Sequence, residues 1–198
     1  MNAFLTVAAN PAASTCLSIG ALVPVFTSGA NSSVIQPFNN WLGSMCAQPA
    51  CSNATLSAVV QNITAGCPTE VLSIAGITSG QTTGLTAQFQ AVYPTTRKIF
   101  CLKKSAFLSL HVPHLTFVGI SGGTFCLTET LTNIEAVTGS LTLSNIVNGT
   151  SSTDLPSNIT CTNCAKEAYN IFLHDFPSAA TTAQPSLQSK CGASFVGM

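Results

Sequence analysis

Apolar residues recur at helical spacing along most of the chain. The clearest case lies between residues 53 and 65, where four apolar residues occupy positions i, i+3, i+4 and i+7. They are Leu56, Val59, Val60 and Ile63. Positions with this spacing share one face of a helix, so the pattern predicts an amphipathic helix that buries this face.

Weaker versions of the same pattern predict further helices. Two short ones are expected within 15–43, the second with Ser32 or Ser33 as its N-cap. The others are a short helix capped by Thr69, a helix over 85–103 broken at Pro94, a helix over 124–137, a short helix or strand over 141–147, and a helix over 161–176 capped by Thr160. Residues 177–189 are rich in Ser, Thr and Ala and contain two prolines, which is typical of a loop.

These elements predict a single all-α domain over residues 15–195, because neither an internal repeat nor an alternation of strands and helices is visible. Minor strand content is expected near 108–120, within the most apolar part of the chain. His111, Pro113 and His114 interrupt this stretch, and it falls short of the roughly 18 apolar residues that a membrane-spanning helix needs. No transmembrane span is predicted.

The first residues give a weak export signal. Residues 1–14 contain an apolar stretch and small side chains, but they lack a basic start and a full-length apolar core. We expect this segment to be the remnant of a leader or to be disordered.

Charged residues are unusually scarce. Asp, Glu, Lys and Arg make up 6% of the chain, with six acidic and six basic residues, against roughly 25% in a typical domain. One cluster of basic residues is present, formed by Arg97, Lys98, Lys103 and Lys104. It is too small to follow a nucleic-acid backbone and is expected to keep one helix face solvated. A nucleic-acid partner is therefore not expected.

Nine cysteines are spread along the whole chain. They are Cys16, Cys46, Cys51, Cys67, Cys101, Cys126, Cys161, Cys164 and Cys191. In a chain of low charge they favour structural disulfides and an oxidising compartment, with buried free thiols as the alternative. The odd count predicts four bridges and one free thiol, and Cys46 and Cys51 are near enough in sequence to close a small loop.

Five sequons for N-glycosylation accompany the cysteines. Their acceptor residues are Asn31, Asn53, Asn62, Asn148 and Asn158. Together with the cysteines they favour a secreted or cell-surface glycoprotein.

Two short motifs could carry chemistry. Cys161 and Cys164 have the C-x-x-C spacing of redox sites and half-zinc sites, but no second such pair completes a zinc site and no βαβ frame surrounds them. The two cysteines are therefore expected to bridge to two different segments and to staple their helix into the domain. Neither a metal nor a cofactor is expected.

The second motif is Gly119-Ile-Ser-Gly-Gly123, which matches the G-x-S-x-G turn of serine hydrolases. Asp154 and His174 follow in the order acid then base, so Ser121, Asp154 and His174 define a cutinase-like esterase as an alternative. Such a fold needs earlier parallel strands, whereas residues 15–103 predict helices, and His174 falls inside a predicted helix.

Four blocks carry a resemblance to a known group of proteins. They are Tyr93-Pro-Thr-Thr-Arg-Lys-Ile-Phe-Cys-Leu-Lys103, Thr124-Phe-Cys-Leu-Thr-Glu-Thr-Leu-Thr-Asn-Ile134, Leu155-Pro-Ser-Asn-Ile-Thr-Cys-Thr-Asn-Cys-Ala-Lys166 and Cys191-Gly-Ala-Ser-Phe195. With them the chain resembles a family of cysteine-rich secreted proteins of basidiomycete fungi that has no assigned function. The resemblance implies secretion or a cell-surface location, often with a signal peptide and a lipid-anchor signal, and implies no catalytic residues.

The chain departs from this family pattern at its start, which lacks a convincing leader, and at its end, which lacks the Ser-rich tail and anchor signal. It also departs between Cys101 and Cys126, where the family has a short polar connection. Residues 105–123 are longer and more apolar, and we interpret them as an insertion, for example a retained intron translated in frame.

The sequence thus predicts a non-enzymatic secreted or cell-surface domain with a structural, adhesive or effector-like role. Its expected partners are cell-wall components or a small apolar ligand. A binding module for such a ligand and the serine esterase are the two alternatives.

Overall fold

The structure is a computed structural model that describes residues 7–29, 31–66, 82–104, 123–147 and 155–196. Within these ranges the chain forms eleven helices and no strand. The helices are α1 (Pro11–Cys16), α2 (Ile19–Thr27), α3 (Ile35–Ala47), α4 (Asn53–Gly66), α5 (Thr82–Phe100), α6 (Cys126–Thr138), α7 (Leu143–Val147), α8 (Ser157–Thr160), α9 (Asn163–Asp175), α10 (Pro177–Cys191) and α11 (Ala193–Val196). The predicted all-α, disulfide-stapled domain is confirmed. The strand expected near 108–120 and the helix capped by Thr69 lie outside the described residues.

The apolar stripe of α4 is buried as its spacing predicts. Leu56, Val59 and Val60 are almost fully buried, and Ile63 packs against the cluster that contains Val59. Val7 and Ala13 belong to that cluster too, and Ala13 is fully buried. The folded part of the chain therefore includes residues 7–14, which the sequence assigned to a leader remnant or a disordered segment.

Two further clusters lie elsewhere in the core. The central cluster consists of Trp41, Leu42, Met45 and Phe125, and the C-terminal cluster consists of Tyr169, Ala180, Phe195 and Val196. The indole N–H of Trp41 donates to the carbonyl of Leu17 at 2.8 Å, so the central cluster also fixes the start of α2. The central cluster joins segments that are distant in sequence, whereas the C-terminal cluster joins the three consecutive helices α9, α10 and α11.

Four disulfides join different helices or the segments that flank them. The pairs are Cys16–Cys51, Cys46–Cys101, Cys126–Cys164 and Cys161–Cys191. They span 30 to 55 residues, and loops of this length correspond to about 3–4 kcal/mol each in the chain-entropy account. The ninth cysteine, Cys67, lies outside the described residues.

The pairing confirms one prediction about the cysteines and corrects another. Cys161 and Cys164 bridge to two different segments, as their i, i+3 spacing indicated. Cys46 and Cys51 do not pair with each other, because Cys46 is bonded to the residue that follows α5 and Cys51 to the last residue of α1.

Pro94 does not break α5, contrary to the prediction. The residues on each side of it are held by other helices, which offsets the lost backbone hydrogen bond. Tyr93 accepts the N–H of Cys51 at its hydroxyl, at 3.0 Å, and Thr95 is buried against Asp175 at the end of α9.

Residues 177–189, predicted as a loop, form most of α10. Pro177 occupies the first turn, where its missing N–H has no cost. Ala180 is fully buried in the C-terminal cluster, and Cys191 is bonded to Cys161 at the far end of the helix. Tertiary packing thus overrides the weak helix propensity of this Ser/Thr-rich sequence.

The helix over 161–176 begins later than predicted. Thr162, not Thr160, is the N-cap of α9, since its hydroxyl accepts the N–H of Ala165 at 3.2 Å. Thr160 is the last residue of the short helix α8.

The two ends of the interpreted insertion lie side by side. Lys103 and Phe125 form an antiparallel bridge, the N–H of Lys104 donates to Thr124 at 2.9 Å, and that of Cys126 donates to Leu102 at 2.8 Å. Gly123 lies so close to the Lys104 carbonyl that a Cβ would overlap it. Most of the segment, residues 105–122, lies outside the described residues. The residues that flank it are hydrogen-bonded directly to each other.

This closure predicts that residues 105–122 are dispensable for folding. Replacing them with Asn-Gly leaves a three-residue connection that ends in Gly123, a common hairpin length. We expect the four disulfides to form and the free energy of unfolding in urea to stay equal or to rise by about 1.5 kcal/mol, because the closed loop is shorter. The control Gly123→Ala in the full chain should lower that free energy. A replacement variant that loses more than about 2 kcal/mol would contradict the insertion hypothesis.

Candidate functional site

The esterase alternative is represented in the structure by His174 alone. Ser121 and Asp154 lie outside the described residues. His174 lies in the last turn of α9 with its side chain 85% exposed, and its Nδ1 is 2.8 Å from Oδ1 of Asp175. The histidine therefore has a carboxylate partner, but it stands in open solvent, where nothing excludes water.

Asp175 ties the end of α9 to the middle of α5. Its Oδ2 accepts the Thr95 hydroxyl at 2.6 Å and the Lys98 ammonium at 2.8 Å. Hydrogen bonds from Lys98, Thr95 and His174 hold the pKa of this carboxyl well below its usual range. The residue was not among the predicted site residues. The available signal was its position, because an acidic side chain at a helix C-terminus is unfavourable unless something compensates it.

All four residues of the basic cluster are engaged within the fold. Arg97 donates through Nη2 to the carbonyls of Met45, at 3.0 Å, and Gln48, where α3 ends. The other three have one contact each: Lys98 with Asp175, Lys103 with the Phe125 ring at 4.8 Å, and Lys104 with Glu129 at 2.8 Å. Arg97 and Lys98 therefore join helices, whereas Lys103 and Lys104 contact Phe125 and the first turn of α6.

The two glutamates of α6, Glu129 and Glu135, are partly buried and each contacts another segment of the chain. Glu129 pairs with Lys104 across the antiparallel bridge. Glu135 accepts the Ser33 hydroxyl at 2.7 Å and the N–H of Leu141 at 2.9 Å, both on Oε2. They do not form a carboxylate pair for acid–base work, because each is committed to a different contact.

One apolar groove lies between α6 and α7. It has a volume of about 330 Å³, near the lower end of the range for small-molecule sites. Its apolar lining consists of Leu131, Ile134, Leu141 and Ile146. No ionisable side chain lines it, so the groove could hold an apolar molecule but offers no group for acid–base chemistry.

The sequon asparagines that the structure describes are mostly accessible. Asn31, Asn53 and Asn158 are exposed, and Asn62 is half-buried within α4. Asn148 lies outside the described residues. A glycan at any of the three exposed positions would leave the packed clusters undisturbed.

The described parts of the chain offer neither a metal site nor a membrane-spanning helix. They contain no group of three His, Cys, Asp or Glu side chains that could hold a metal ion. None of their helices combines the length and the apolar character that crossing a membrane requires.

No protein-family model matches the chain, and no curated protein or solved structure matches it. Function therefore has to follow from the fold and from the chemistry of its own residues.

The Asp175 network predicts a pH-dependent contribution to stability. Folding lowers the pKa of the Asp175 carboxyl, so the ionised carboxylate stabilises the fold when the pH is above its ordinary pKa of about 3.9. This contribution is lost as the pH falls toward the lowered pKa. Asp175→Asn should therefore be less stable than the unchanged protein at pH 5–7, and the difference should shrink steadily below about pH 4. Urea unfolding at several pH values measures it.

Glu167→Gln is the matched control, because it removes an exposed carboxylate from the same helix. It should lower the stability at pH 5–7 much less than Asp175→Asn does. A constant difference between Asp175→Asn and the unchanged protein from pH 7 to pH 2 would mean that the Asp175 carboxylate contributes no charge-dependent stabilisation.

Proposed function

We propose that this chain is an extracellular, N-glycosylated, non-enzymatic domain with a structural or adhesive role at a cell surface, with neutral cell-wall polysaccharide as its partner. The observation that carries the proposal is the disulfide framework. Eight cysteines are paired between distant segments, and such frameworks form and persist in oxidising compartments. The resemblance to cysteine-rich secreted proteins of basidiomycete fungi supports the same location.

The surface chemistry supports a neutral partner. Charged residues are 6% of the chain and sum to zero, and many of the described ones pair with one another or hold helix ends. The exposed groups that remain are largely hydroxyls and amides, which can hydrogen-bond a neutral polymer without attracting ions. Glycans at Asn31, Asn53 and Asn158 would add to this neutral, hydrated surface.

A specific observation supports one second candidate. The groove between α6 and α7 is apolar, and Ile146 in its lining is about half exposed. These features favour a small apolar ligand as the alternative partner.

The leading proposal predicts salt-insensitive binding to wall polymers. The full chain is secreted from a yeast host behind a supplied signal, and its intact mass should show eight oxidised thiols and N-glycans that a glycosidase removes. It is then sedimented with insoluble β-glucan and with chitin. We expect retention on at least one polymer that persists at about 1 M salt, because few surface charges are available to be screened.

Two controls complete the test. Enzymatically deglycosylated protein should bind as well as the glycosylated form, because the polymer contacts the protein surface. Retention that disappears at high salt, or no retention on either polymer, would contradict the adhesive role. A lipid extracted from the purified protein and identified by mass spectrometry would instead support the apolar-ligand alternative.

A further inference from the structure

The outward face of α10 presents five hydroxyl groups. They belong to Ser178, Thr181, Thr182, Ser186 and Ser189, and all five residues are exposed. At about 100° per residue, these positions fall within an arc of about 140° around the helix. We call this face the hydroxyl strip.

The opposite face of the same helix is the one that packs. Ala180 is fully buried in the C-terminal cluster, Leu187 packs against that cluster, and Cys191 carries the disulfide to Cys161. On the same 100° spacing these three positions point about 180° away from the centre of the hydroxyl strip. A group added to the strip would therefore extend into solvent and displace no packed side chain.

The hydroxyls of the strip have only local hydrogen bonds in the structure. Thr181 and Thr182 both donate to the carbonyl of Ser178, at 2.9 and 3.3 Å. These bonds hold no other helix in place, in contrast to the Thr95 hydroxyl that joins α5 to α9. Converting the strip hydroxyls to ethers would therefore cost little stability.

The composition of α10 is that of an O-glycan acceptor. Its fifteen residues contain two prolines, three alanines, five Ser or Thr and a single charged residue, Lys190. Segments rich in Ser and Thr with Pro are typical of O-glycosylated regions of secreted proteins. The packing of the helix uses only the opposite face, so it does not explain why the solvent-exposed face has this composition.

We propose that the hydroxyl strip is a site of O-glycosylation by neutral sugars. The inference rests on the proposed function, because the acceptor must pass through a secretory pathway. In the transfer, a strip hydroxyl oxygen attacks the anomeric carbon of an activated glycosyl phosphate donor, and a C–O glycosidic bond forms. The bond from that carbon to the donor phosphate breaks, the phosphate leaves with the electron pair, and a base of the host transferase takes the hydroxyl proton.

The chain allows an unusually direct test of this proposal. Trypsin releases residues 167–190 as one peptide, since Lys166 and Lys190 are the neighbouring cleavage sites. The peptide contains no cysteine and no N-glycosylation sequon, and its only Ser and Thr residues are those of the strip. Any sugar on this peptide is therefore O-linked to the strip.

The full chain, secreted from yeast behind a supplied signal, should yield this peptide with added whole hexose units, and fragmentation should place them on Ser or Thr. A variant with all five strip residues changed to Ala should yield the unmodified peptide. The N-glycans and disulfides elsewhere in this variant should be unchanged, since Ala favours the helix. The matched control Thr132→Ala with Thr138→Ala removes two exposed hydroxyls of α6. It should leave the modification of the peptide unchanged.

The negative outcomes separate this proposal from the proposed function. An unmodified peptide in a protein that carries N-glycans and eight oxidised thiols overturns the hydroxyl strip as a glycan site and leaves the secreted, stapled class intact. Free thiols and no glycan anywhere on the protein overturn both.

Discussion

The disulfides between helices are the constraint on which the rest of this structure depends. Many of the described helices are too short to be stable alone, and α1, α7, α8 and α11 have six residues or fewer. The buried residues form several small clusters in place of one large core. Covalent links that span 30 to 55 residues reduce the entropy of the unfolded chain and hold these clusters together.

The few charged residues serve the same purpose at the surface of the clusters. Asp175 joins α9 to α5, Glu135 joins α6 to the start of α3, and Arg97 holds the carbonyls at the end of α3. Because these side chains are engaged in interhelical contacts, few ionisable groups among the described residues remain for other roles. The described part of the chain presents hydroxyls, amides and exposed sequon asparagines on its surface, and these groups are the basis of the structural or adhesive role that we propose.

Sequence patterns predicted the features that depend on local spacing. The buried face of α4 follows from its apolar period, and the bridges of Cys161 and Cys164 to two different segments follow from their i, i+3 spacing. The same patterns failed where distant contacts decide. The helix of residues 177–191 exists because Ala180 and Cys191 are anchored, α5 continues through Pro94 because Tyr93 and Thr95 are held, and no local signal indicated that Cys51 pairs with Cys16.

The central claim is that these particular cysteine pairs hold the helices together, and peptide mapping of the unreduced protein tests it most directly. Digestion of the secreted protein at low pH, which prevents thiol exchange, should release peptides linked as Cys16–Cys51, Cys46–Cys101, Cys126–Cys164 and Cys161–Cys191. A Cys46–Cys51 or Cys161–Cys164 link, or free thiols at these eight positions, would contradict the account.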